Sequence, residues 1–165
     1  MVLLLQCAVC CLLLTLIILP AQYRDPLKMI MSYPPAVIRR VEELPQYRDS
    51  IRQREKAHIG KKLGGLIFFV ILLAAVAWFS GCRNFAAAFR HVFILFAAVN
   101  AYDLIVLDWG VFCHSRKLRI PGTEDMDEAY TDYLFHVRGF AVGLALGCAA
   151  ALLSGGVVQL LTLLE

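Results

Sequence analysis

The stretch HVFILFAAVNAYDLIVLDWGVF, His91–Phe112, decides how this chain is read. A helix rising about 1.5 Å per residue needs roughly 20 apolar residues to cross about 30 Å of hydrocarbon, and this stretch is long enough. It nevertheless carries Asn100, Asp103 and Asp108. Hydrocarbon tolerates ionisable groups only where something compensates them, so such residues mark a candidate working site.

Working outward, three further runs have the length and apolarity of a span, at about 2–20, 63–81 and 139–164, and none has Asp, Glu, Lys or Arg in its core. Hydrophobic residues make up 60% of the 165 residues and charged residues only 18%, a balance too apolar for a soluble domain. The expectation is an all-α integral membrane four-helix bundle, a single transmembrane domain over 1–165. Its longer loops cover 22–62 and 113–138.

Orientation follows from the basic residues. Of 16 Lys and Arg, ten lie from Arg24 to Lys62, four from Arg116 to Arg138, and only Arg83 and Arg90 fall between the second and third spans. The positive-inside bias places both longer loops in the cytoplasm and both termini outside, as in a bacterial-type plasma membrane. The first span reads as a retained anchor, because no basic residue precedes its apolar run and Arg24 and Lys28 follow it. The basic loop suits anionic inner-leaflet lipids as partners, and nothing in the pattern calls for nucleic acid.

Within the first loop, Pro34 and Pro35 suit a helix start, and Val37, Ile38, Val41 and Leu44 recur at helical spacing before Pro45. This predicts an amphipathic cytoplasmic helix on the membrane surface between the first and second spans. A second helical stretch is expected from Asp49 or Ser50 through Arg52, Arg54 and Lys56. In the fourth span Gly139, Gly143, Gly147, Ala151 and Gly155 repeat every four residues, a stripe that lets another helix approach closely. The neighbour is the third span or the fourth span of a second copy.

At about 100° per residue, Asn100, Asp103 and His114 share one side of the third helix, Asp108 flanks it, and His91 and Trp109 point away. Asp103 sits near mid-bilayer with no Lys or Arg at matching depth, and Asp108 lies about one turn from the cytoplasmic end. Asn100 and Asp103 thus form the expected floor of a polar pocket, with Asp108 above. Its mouth would hold His114, His136, Arg138, Glu124 and Asp125, the last two in a short helix capped by Thr123. His114, His136 and Asp108 together offer an open divalent-metal site, though their spacing matches no ligand motif. The cluster of Asp125, Asp127 and Asp132 lacks the Gly and Glu that a calcium loop needs.

Function is expected to be binding or translocation of a small polar or cationic solute by a homo-oligomer. The alternatives are a membrane-embedded enzyme acting on a lipid or amphiphile at the inner leaflet, and an accessory subunit of a membrane complex. Cys7 and Cys10 form a C-x-x-C, and Cys82 lies at the same expected membrane side, which raises thiol redox chemistry; no basic group is near Cys7, Cys10 or Cys11 to activate a thiol. Phosphate-binding Gly-rich loops, H-E-x-x-H, nucleophile elbows, haem-attachment motifs and an inverted repeat are all missing.

Overall fold

The computed structural model describes residues 1–47 and 59–165, and every element among them is helical. In chain order these are α1 Val2–Arg24, a 3-10 segment Pro26–Ser32, α2 Pro35–Glu43, α3 Ile59–Phe79, and α4 Phe85–Tyr102, which continues as a π-helix over Asp103–Phe112. A 3-10 turn Arg116–Leu118, α5 Asp127–Tyr130 and α6 Tyr133–Leu164 complete the chain. Among the described residues, three helical stretches are long and apolar enough to cross a membrane: Val2–Arg24, Phe85–Phe112 and Asp127–Leu164. The run expected at 63–81 falls largely in α3, Ile59–Phe79. The helix expected over 49–56 lies outside the described residues.

The described residues form two compact units. The first draws on Met1–Cys11, the part of α3 to Ala101, and Gly139–Glu165; the second draws on Leu12 to Tyr47 and Tyr102–Arg138. In the first unit Leu73, Ala74, Ala77, Ala88, Val92, Leu95, Ala150, Ala151 and Val158 make the core. Small residues predominate there, and they let the helices approach closely enough to gain dispersion contact. A Cβ at Gly143 would meet Asn100 Oδ1 at 2.5 Å, one at Gly147 would run into the Phe96 ring, and one at Gly155 would meet Phe85 carbons at 3.1 Å. The stripe therefore receives α4 of the same chain. Ala151 is fully buried, whereas Gly139 has nothing within 4 Å of its Cβ position.

Local chemistry sets where these helices begin and end. At the end of α3, Gly81 at φ +89° lets Cys82 N–H donate to Ala77 O and Gly81 N–H donate to Trp78 O, a pairing that closes a helix C-terminus. Asn84 Oδ1 then accepts from Ala87 N–H at 2.9 Å and opens α4. Asp132 does the same for α6, accepting from Phe135 N–H at 3.0 Å. Polar side chains also cross-link the first unit: Gln6 Nε2 donates to Ser80 Oγ at 2.8 Å, and Gln6 Oε1 lies 2.8 Å from His91 Nε2. Because the amide oxygen only accepts, His91 Nε2 is the donor. Cys7 and Cys10 pack on the same core as Cys82, behaving as small apolar residues, and burial pushes the Cys82 thiol up.

The second unit corrects the reading of α2. Val37 and Val41 are fully buried against Ile30, Tyr33, Leu118, Ile120 and Tyr130, so the helix's apolar stripe is covered by protein and not by a membrane surface. The amphipathic pattern was real, but the 113–130 loop supplies its partner. Thr123 does not cap a helix either. Its Oγ1 donates to Ile120 O at 2.8 Å and lies 2.7 Å from Tyr130 Oη, which in turn accepts from Ile120 N–H at 3.0 Å. With the threonine proton on Ile120 O, the phenol donates to Thr123, and each group in this buried ring is satisfied. Tyr130→Phe is expected to strand the Ile120 N–H and lower stability by about 1–3 kcal/mol, measurable as a lower unfolding midpoint in detergent; an unchanged midpoint contradicts the ring.

Candidate functional site

The π-helix is what positions the site. Cys113 N–H donates to Asp108 O at 2.9 Å, an i→i+5 bond, and such wide turns are rare and frequent at functional sites. In an α-helix, residues five apart lie about 140° apart around the axis. The wider turn changes the wheel that places Asp108 on the flank of the Asp103 side.

Asp108 Oδ2 lies 3.1 Å from His136 Nδ1. The histidine is 4% exposed, and its ring packs edge-on against Phe112 and Phe135, with centroids 5.3 and 5.2 Å away. With Nδ1 facing the carboxylate, Nε2 is left buried with no well-formed hydrogen bond among the described residues, and the buried Cys113 thiol is the ring's other polar neighbour. Asp103, half-buried, lies within electrostatic reach of both Asp108 and His136, and its carboxylate makes no hydrogen bond among the described residues. Trp109, whose ring meets Tyr133 edge-on at 5.7 Å, also has a buried, unpartnered indole N–H. The result is a carboxylate–imidazole pair at the start of α6, with a second carboxylate, Asp103, within electrostatic reach.

Other expected members go elsewhere. Asn100, in the first unit, donates from Nδ2 to Phe140 O at 2.9 Å and is seated against Gly143, so its amide serves helix packing. His114 is exposed and its Nδ1 donates to Trp109 O at 2.7 Å. Glu124 accepts from Gly122 N–H at 2.9 Å, which holds its carboxyl below the usual range. Asp125 pairs with Arg40 at 3.2 Å on the exposed surface, and Arg138 is exposed. The metal set of His114, His136 and Asp108 is not assembled: among the described residues no three His, Cys, Asp or Glu side chains are grouped to hold an ion.

Sequence reading missed two features. One is the Gln6, Ser80 and His91 linkage, whose members lie far apart in the chain. The other is Arg119, an arginine in a charged loop whose side chain is only 9% exposed. The class these helices point to is an integral membrane protein. Comparison with protein-family models, with curated proteins and with solved structures found no match.

Proposed function

We propose that this chain is a four-span membrane protein, packed as a four-helix bundle in a bacterial-type plasma membrane, whose cluster of Asp103, Asp108 and His136 binds and translocates a small polar or cationic solute. The longer, basic loops face the cytoplasm beside anionic lipids, with both termini outside. The observation that carries the reading is the 3.1 Å contact between Asp108 and His136 beside a second carboxylate, Asp103. With the imidazole and both carboxylates ionised, the three groups together carry a net negative charge, the complement of a cation or proton. A second copy is part of the proposal, because four spans leave little room for a complete pathway.

Proteoliposomes test this with a defined panel: proton flux read by a pH dye, and uptake of Na⁺, K⁺ and methylammonium. Wild type is expected to move at least one of these, and Asp103→Asn to reduce that flux tenfold or more while the protein stays folded. Inactive wild type across the panel, or undiminished flux in the variant, overturns the proposal.

A second reading is favoured by one detail. A carboxylate that holds Nδ1 of an imidazole fixes the ring and leaves Nε2 for proton transfer, as an acid–base enzyme acting on an amphiphile requires. Asp108→Asn separates the two, since it preserves most of the shape but removes the orienting charge. The accessory-subunit reading has no support from the fourth-span stripe, because Asn100, Phe96 and Phe85 of the same chain cover it.

A further inference from the structure

Arg119 carries chemistry that the Asp103, Asp108 and His136 cluster does not use. It follows the third span by seven residues and the exposed Arg116 and Lys117 by two to three. Its side chain is nine-tenths buried, its Nη2 donates to Asp127 Oδ1 at 3.0 Å, and its guanidinium lies over the Tyr130 ring at 4.0 Å. The Nε and Nη1 atoms are also buried but have no acceptor among the described residues.

A guanidinium stays charged and only donates, so neither rotation nor loss of a proton relieves these two N–H groups. Buried charged donors without acceptors are strongly disfavoured. Asp127 engages only Nη2, and its 72% exposed side chain offsets the guanidinium charge only in part, so a second anion is still attracted. Moreover, the four buried side-chain nitrogens that lack partners among the described residues belong to Trp109, Arg119 and His136, all in this second unit. Trp and Arg are donors only. Three of these four atoms are thus donors without an acceptor among the described residues.

We propose that Arg119 anchors an oxyanion site that takes a phosphate-type group on Nε and Nη1, with Arg116 and Lys117 supplying outer positive charge. Guanidinium suits such groups because its fixed fork of donors matches phosphate oxygens. The phosphate belongs either to a lipid headgroup, given the loop's place directly after a membrane-length helix, or to a soluble ion. The site is independent of the solute cluster.

Full-length protein purified in a phosphate-free sugar detergent tests this in two arms. One titrates inorganic phosphate and the other dopes the micelles with phosphatidic acid, each followed by ³¹P linewidth and unfolding midpoint, with diacylglycerol as the phosphate-free control for the midpoint. Saturable binding is expected in at least one arm, and is expected to be at least tenfold weaker, or absent, in Arg119→Gln. The lipid arm alone identifies a headgroup site, and the inorganic arm alone a soluble ligand. Asp127→Asn, a change at an exposed carboxylate, is expected to tighten binding several-fold and decides the matter if Arg119→Gln fails to fold. No saturable binding in either arm overturns the proposal, as does binding that Asp127→Asn leaves unchanged or weakens; an ordered water then satisfies the arginine.

Discussion

Gly147→Leu is expected to destabilise the first unit by about 3 kcal/mol or more, the upper range for forcing extra carbons into a packed core. The first added carbon would enter the Phe96 ring, and that ring is held edge-on by Phe69 at 6.3 Å. Gly143→Leu acts differently. Its Cβ displaces the Asn100 amide, and moving that amide breaks its bond to Phe140 O, so a lost buried hydrogen bond of about 1 kcal/mol adds to the steric cost. Gly139→Leu, at a position with open space, is the control and is expected to be near neutral. Unfolding midpoints in detergent read all three. Equal effects at Gly139 and Gly147 would contradict packing of the stripe against α4 of the same chain.

The second large effect concerns the buried pair. Asp108→Ala leaves His136, whose side chain is 3% exposed, with no well-formed hydrogen bond at either ring nitrogen. Stranding such a group costs about 1–3 kcal/mol, toward the lower end here because Asp108 is about a third exposed and the ring is free to lose its proton. Replacing both residues with apolar ones, Asp108→Leu with His136→Phe, is expected to recover most of that loss, since a buried ionic pair contributes little net stability once both charges are gone. The double variant is therefore expected to be stable and inactive in flux. A double variant that is as unstable as the single one would show that the pair does not act as a unit.

The membrane-length helices were legible because apolar length alone dictates them, and the glycine stripe was legible because a four-residue repeat fixes a helix face. Asp108 and His136 were both singled out, each by being an ionisable group beside or inside an apolar run. Their proximity was legible too, since both lie where the third span ends and the fourth begins, whereas the wheel that grouped Asn100, Asp103 and His114 assumed 3.6 residues per turn and the chain widens over Asp103–Phe112. No residue in that segment announces the wider turn. The α2 helix shows a different limit: periodicity identifies an apolar face but not what covers it, and its cover comes from Tyr33, Leu118, Ile120 and Tyr130, outside the helix itself. Arg119 illustrates the same gap for charge. Composition assigns an arginine to solvent, while the Tyr130 ring provides a surface on which its guanidinium is buried.

The central claim is that Asp103, Asp108 and His136 enclose a ligand. The most direct test is an experimental density map of the full-length protein in native-lipid nanodiscs, at a resolution that shows side chains and bound solutes. A non-protein feature within hydrogen-bonding distance of the Asp103 carboxylate or His136 Nε2 is the predicted result. Acyl chains against Asp103, or close protein packing around it with no space for a solute, would contradict the account.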